Sequence, residues 1–202
     1  WLAEDEDQDE SALAGMEALF REYSQAGNQQ GALRSADFVL NVLIAEGEGQ
    51  RAGEYVEQVR PLIAEQGVSN WLYWIYYAEI STVFALTGEL EAARHELDRV
   101  RQSKEDEISF FYQASLARAE AHLAVAAGDW PAAGAAFQRF MDAQVAMGRR
   151  WYEANAFYEW ARSIAPHDSA RAKELLEQSI ARFEKLEVPA YLRRVKDFQS
   201  GI

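Results

Sequence analysis

The chain has 202 residues, no cysteine, and 33 acidic against 20 basic residues, which gives a net charge of −13. The lack of cysteine excludes disulfides, thiolate metal sites and cysteine nucleophiles, and it fits a cytoplasmic protein. The acidic balance excludes general nucleic-acid binding, because phosphate contacts need a basic face. Proline occurs only 4 times and good helix formers are abundant, so the composition predicts an all-α chain.

The first ten residues form an acidic segment with six acids and no base: Glu4, Asp5, Glu6, Asp7, Asp9 and Glu10. We predict that residues 1–10 are an acidic tail or linker remnant and that residues 11–202 are a helical repeat domain. Because the chain opens at Trp1 rather than at a methionine, we expect it to be a piece of a longer protein.

Apolar residues recur at helical spacing along the rest of the chain and predict about nine helices followed by a short C-terminal one. In chain order the predicted helices lie near 11–25, 30–46, 50–66, 70–87, 90–103, 106–127, 130–147, 151–165, 169–187 and 189–199.

The turns between these helices repeat with a period near 40 residues, at about 47, 88, 128 and 167. In each copy, alanine follows the turn residue by five positions and a large apolar residue follows it by nine. The copies are Gly47, Ala52 and Val56; Gly88, Ala93 and Leu97; Gly128, Ala133 and Phe137; and, more weakly, His167, Ala172 and Leu176. Alanine is expected where two helices approach closely. Helix pairs that cannot bury their apolar faces alone predict an α-solenoid.

The second unit resembles a tetratricopeptide repeat (TPR) at its aromatic, small, glycine and apolar positions, which are Tyr77, Ile80, Ser81, Phe84, Gly88, Ala93 and Leu97. The period exceeds the usual length of about 34 residues. With the closing segment AKELLEQSIARFEKLEVPAYLRRVKDF, it is similar to the MalT-like subclass found in large bacterial signalling and regulatory proteins. The resemblance implies a right-handed α-solenoid of antiparallel helix pairs, in which the first helix of each pair lines a concave binding face.

Aromatic residues cluster near the start of three of these first helices, at 71–77, 110–112 and 151–160. They are interpreted either as packing between units or as a groove edge that binds a partner. The residues expected to be exposed on the concave face are Trp74, Ala78, Phe111, Arg118, His122 and Tyr158. The guanidinium of Arg118 suits a carboxylate or phosphate, and the alternative is an ordinary salt bridge to Glu79 or Glu120.

Catalytic and metal-binding motifs are missing from the sequence. It contains no GxxxxGK, GxSxG or GxGxxG, and its histidines, His95, His122 and His167, have no metal-ligand spacing. We therefore expect no catalytic residue, metal or cofactor. The apolar segment 68–88 is long enough to cross a bilayer but ends at a repeat turn, so we expect no membrane span.

The function expected from these features is a protein-interaction or sensor module of a larger bacterial signalling or transcriptional regulatory protein. It would bind a protein or peptide, or flanking domains of the same polypeptide, on its concave face. The alternatives are binding of a small-molecule effector, as in a MalT-like regulator, and self-association of the array.

Overall fold

A computed structural model describes residues 6–66, 73–102 and 109–202. Within these ranges the chain is all-α, with ten helices and no strand. The helices are α1 (Glu6–Gln25), α2 (Gln29–Glu46), α3 (Gly49–Gln66), α4 (Tyr73–Leu86), α5 (Leu90–Gln102), α6 (Phe110–Ala126), α7 (Trp130–Ala146), α8 (Arg150–Ile164), α9 (Ser169–Leu186) and α10 (Pro189–Ser200).

The helices of the structure follow the predicted ones closely, with one clear difference at the N-terminus. Helix α1 begins at Glu6, so residues 6–10 of the predicted acidic tail belong to a helix. The predictions for residues 1–5, for the start of the fourth helix with Trp71, and for 103–108 lie outside the described residues.

The predicted repeat turns lie at helix ends. Gly47, Gly88 and Gly128 all have positive φ, as expected for a left-handed residue that ends a helix. Gly47 ends α2 with φ 70°, and its N–H donates to the carbonyl of Ile44. At the fourth turn Asp168 caps α9, where its side chain accepts a hydrogen bond from the N–H of Arg171 at 2.9 Å.

The alanine and large apolar positions of the repeat pattern lie in the core. Ala52, Ala93, Ala133 and Ala172 are buried, and so are the larger residues four positions later, Val56, Leu97, Phe137 and Leu176. Ser81, at the small position of the second unit, donates to the carbonyl of Ala93 at 2.8 Å. A small side chain at this crossing lets α4 and α5 approach closely, as the pattern predicted.

Four alternate helices, α2, α4, α6 and α8, pack against one another in the middle of the molecule and are here called the inner helices. Helix α2 contacts α8, and α1 contacts α10, so the first and last described helices lie against each other. Arg162 of α8 donates to the carbonyl of Ala45 at 2.6 Å, and Arg194 of α10 donates to Glu46 at 2.5 Å. These contacts bring together polar residues that are far apart in sequence.

Among the helices described above, none combines the length and apolar character needed to cross a membrane.

Candidate functional site

Each inner helix contributes at least one polar residue to a network in the middle of the molecule, and the four central members are Asn41, Glu79, Arg118 and Glu159. Asn41 and Glu79 are 38 residues apart, and Arg118 and Glu159 are 41 apart. This spacing is close to the repeat period, so the four residues lie at similar heights on successive inner helices. Because those helices pack together, the four side chains meet.

Arg118 and Glu159 form a buried ion pair with bidentate geometry. The guanidinium donates from Nε to Oε1 and from Nη2 to Oε2, both at 2.7 Å. Glu159 is 1% exposed and Arg118 is 7% exposed. The Nε2–H of His122 also donates to Oε1 of Glu159, at 2.7 Å. Two parallel charge-assisted bonds with a third donor fix this pair in one geometry.

Asn41 links the ion pair to Glu79. Its Oδ1 accepts a hydrogen bond from Nη1 of Arg118 at 2.7 Å, and its Nδ2 donates to Oε1 of Glu79 at 2.6 Å. The other oxygen of Glu79, Oε2, is buried and accepts no hydrogen bond from the described residues. The carboxyl of Asp37 lies next to Glu79. Two carboxyl groups can bond to each other only when one of them holds a proton.

The two glutamates of the network have pKa values that are shifted in opposite directions. Burial alone would raise the pKa of Glu159, but the charge of Arg118 and hydrogen bonds from His122 and Arg118 outweigh it and lower that pKa from 4.5 to about 2. Burial raises the pKa of Glu79 well above its usual range, and the neighbouring Asp37 raises it further. Burial also raises the pKa of Asp37. The Glu159 end is therefore a satisfied ion pair, whereas the Glu79 end disfavours its own negative charge.

A cavity of about 150 Å³ adjoins the Glu79 end of the network. Its walls come from α2, α4, α6, α7 and α8. The polar lining consists of Asp37, Asn41, Glu79, Thr82, Ser115, Arg118, Gln144, Arg149, Tyr152 and Asn155, and the apolar lining of Ile75, Ala78, Phe111, Ala114, Phe140 and Trp151. An engineered apolar cavity of about this volume binds benzene. This cavity is polar and can hold a comparably small molecule that has hydrogen-bonding groups.

Arg149 and Phe111 line the cavity where it reaches the surface. The side chain of Phe111 is 51% exposed. The guanidinium of Arg149 lies 5.3 Å from the ring of Phe111 and 3.4 Å from the ring of Tyr152. Arg149 forms no ion pair with the described residues. Its charge lies over two rings and also lowers the pKa of Asp37, so a ligand in the cavity would meet both Arg149 and Asp37.

The structure brings three of the six predicted site residues to this cavity: Ala78, Phe111 and Arg118. Phe111 is exposed as predicted. The expectation of exposure was wrong for Trp74, Ala78, Arg118, His122 and Tyr158, which are all buried. The physical reason is that the inner helices pack on one another, and the expected concave face is filled by its own side chains.

The remaining three candidates lie in packing positions. The rings of Trp74 and Tyr112 pack edge to face with their centroids 5.1 Å apart. The rings of Tyr158 and Phe198 pack in the same way with their centroids 5.9 Å apart. His122 belongs to the ion-pair network but does not line the cavity. The salt bridge expected for Arg118 exists, but its partner is Glu159 rather than Glu79 or Glu120.

The aromatic clusters serve mainly as packing, the first of the two interpretations given above. In the described part of the first cluster Trp74 and Tyr76 are buried, and the hydroxyl of Tyr77 accepts a hydrogen bond from Arg99 at 2.6 Å. Phe110 and Phe111, with 48% and 51% exposure, are the exceptions.

Sequence reasoning missed Asp37, Asn41, Gln144, Arg149 and Glu159 as site residues. A signal for some of them is present in the sequence. Asn41, Glu79, Arg118 and Glu159 are polar residues that recur near the repeat period inside otherwise apolar helices. Because a polar residue at an equivalent buried position must find a partner, such a recurrence predicts a shared network.

Comparison of the chain with protein-family models finds no matching family. Comparison with curated proteins finds no matching sequence. The TPR-like and MalT-like resemblance therefore remains a prediction from the residues quoted for it.

Proposed function

We propose that this chain is the ligand-sensing module of a larger bacterial signalling or regulatory protein, and that a small polar molecule binds in the cavity between the inner helices. The observation that carries the proposal is the buried acceptor of Glu79 at the wall of a polar cavity. An unpaired buried acceptor destabilises a fold by about 1–3 kcal/mol, and a ligand that supplies the missing donor removes this cost.

The fold proposed to underlie this function is a right-handed TPR-like α-solenoid of antiparallel helix pairs, curved until its ends meet. The contacts between α2 and α8 and between α1 and α10 support such a curvature. A ligand in the cavity would contact α2 and α4 from the first half of the chain and α6, α7 and α8 from the second. Its binding would stabilise the packed arrangement of the two halves and so act on the attached domains.

A thermal-shift screen with small polar compounds, followed by calorimetry on the hits, tests this function. Two neighbouring variants provide the comparison, since Phe111 lines the cavity and Phe110, of similar exposure, does not. We expect Phe111→Ala to weaken binding of a hit at least about fivefold, while Phe110→Ala leaves it within about twofold. Circular dichroism checks that both variants fold. Hits that bind both variants and the wild type equally, or the lack of any hit, would argue against a ligand site here.

Binding of a protein partner is the second candidate function, and the observation that favours it is a set of exposed large hydrophobic side chains. Phe38, Phe110, Phe111 and Val145 are at least 36% exposed. A protein or peptide partner would bind to these exposed side chains rather than to the expected concave face, because the side chains of the inner helices pack against one another there. Self-association through these side chains would give a mass that rises with concentration in light scattering and falls back in Phe110→Ala. A mass that stays monomeric at high concentration excludes self-association.

A further inference from the structure

Two buried acceptor atoms on different helices line the same cavity and have no hydrogen-bond partner among the described residues. They are Oε2 of Glu79 on α4 and Oε1 of Gln144 on α7. The two residues are only 5% and 3% exposed. The amide oxygen of Gln144 accepts hydrogen bonds, and so does Oε2 of Glu79 when that carboxyl is ionised, so a molecule that completes the site in that state must bring donors.

The wall formed by α2 and α4 also carries two neighbouring carboxyl groups. Asp37 and Glu79 lie side by side on it, since Nδ2 of Asn41 lies 3.4 Å from Oδ1 of Asp37 and 2.6 Å from Oε1 of Glu79. The charges of Arg149 and Arg118 both act on Asp37, but the guanidinium of Arg118 is already bound to Glu159 and Asn41. In the absence of another cation, a proton shared by the two carboxyl groups relieves their repulsion. An ammonium group in the cavity would replace that proton and would donate to Oε2 of Glu79 as well.

The opposite charge occurs at the mouth of the cavity. Arg149 lines it, stacks on Tyr152, and forms no ion pair with the described residues. A guanidinium in this position binds a carboxylate through two parallel hydrogen bonds. One cavity therefore offers a site for a positive group and a site for a negative group.

We propose that the ligand is a small zwitterion of the amino-acid type, with its ammonium at Asp37 and Glu79 and its carboxylate at Arg149. This inference rests on the proposed function, because it names the class of ligand for the same cavity. The volume of about 150 Å³ limits the ligand to roughly the size of benzene, so short amino acids fit and peptides do not. Gln144 supplies a further acceptor for the ammonium or for a polar side chain of the ligand.

Calorimetry with matched probes on the whole chain tests the ligand class. The zwitterionic probes are glycine, L-alanine, β-alanine and γ-aminobutyrate, and the single-charge probes are propylamine and propionate, with glycerol as the neutral probe. We expect at least one zwitterion to bind, and to bind at least about tenfold more tightly than either single-charge probe. Glu79→Gln and Arg149→Gln should each weaken that binding at least about tenfold. Arg150→Gln is the matched control, since Arg150 is exposed and does not line the cavity, and it should change affinity by less than about twofold.

The outcomes separate this inference from the proposed function. If glycerol or a single-charge probe binds in a Phe111-dependent way and no zwitterion binds more tightly, the ligand site is supported but the zwitterion proposal is wrong. Zwitterion binding that Glu79→Gln and Arg149→Gln leave unchanged would also overturn it. If none of the probes and none of the compounds in the broader screen binds in a Phe111-dependent way, the proposed function itself fails. Melting curves of each variant confirm that a loss of binding does not come from unfolding.

Discussion

Replacement of Glu159 by glutamine removes the only negative charge that contacts the Arg118 guanidinium among the described residues. Glutamine has nearly the same shape, so the packing of α8 changes little. Its amide presents one oxygen and one nitrogen donor, and the donor would face either a guanidinium N–H or the ring N–H of His122. The variant therefore leaves a buried cation without its counter-charge.

The magnitude of the loss follows from the pKa of Glu159. A decrease from 4.5 to about 2 on folding corresponds to roughly 3 kcal/mol of stability at neutral pH. This agrees with the cost of about 3–5 kcal/mol for removing one partner of a buried ion pair. Since the folded-state pKa is lowered, the stabilisation is fully present above pH 4.5 and is lost as the pH falls toward about 2.

Urea unfolding followed by circular dichroism measures the effect, with Glu120→Gln as the matched control. Glu120 also pairs with two arginines, Arg101 at 2.9 Å and Arg139 at 2.7 Å, but both partners are at least half exposed. We expect Glu159→Gln to lose about 3 kcal/mol at neutral pH and Glu120→Gln to lose less than about 1 kcal/mol. Equal losses for the two variants, or a loss below about 1 kcal/mol for Glu159→Gln, would refute the assignment of a strong buried pair.

Three further predictions concern other parts of the molecule. Because burial and the neighbouring Asp37 raise the folded-state pKa of Glu79 well above 4.5, the wild type should lose stability relative to Glu79→Gln as the pH rises above 4.5. Chemical denaturation at several pH values would show this loss, and parallel pH profiles would contradict it. Gly47→Ala should cost at least about 1 kcal/mol more than Gly88→Ala. A Cβ at Gly47 would lie 2.3 Å from the Arg162 guanidinium, which would have to move and give up its hydrogen bond to the carbonyl of Ala45, while Gly88 has open space. Similar melting temperatures for the two variants would show that Arg162 moves without this cost. Phe183→Ala should lose about 3–5 kcal/mol of unfolding free energy in urea, since Phe183 is 0% exposed. A loss below about 2 kcal/mol would mean that the surrounding core collapses into the space.

The repeat pattern predicted most of the helical architecture because its signals are local. A turn glycine such as Gly88 and an alanine such as Ala93 act within one helix pair, through backbone conformation and close helix approach. Helix boundaries and the buried pattern residues could therefore be predicted from spacing alone. The pattern does not predict contacts between helices that are distant in sequence, such as α2 with α8.

The site was harder to predict because its contacts join residues that are distant in sequence. Arg118 was expected on an open face, and its burial results from the contact of α2 with α8. Its partners, Asn41 and Glu159, are 77 and 41 residues away, so no local pattern pairs them. Arg149 follows the turn at Gly148 and shows no periodicity that would mark it as part of a cavity wall.

The contact between the first and last inner helices also has a consequence for how the molecule unfolds. In an open stack of repeats each unit contacts only its neighbours, so stability is a sum of nearest-neighbour terms and an end unit can fray by itself. Here Arg162 and Arg194 hold the end of α2 from α8 and α10, more than 100 residues away. Loss of the last unit would expose part of the first, and loss of any inner helix would remove a member of the Asn41–Glu159 network. Denaturation should therefore be a single cooperative transition rather than progressive melting from one end.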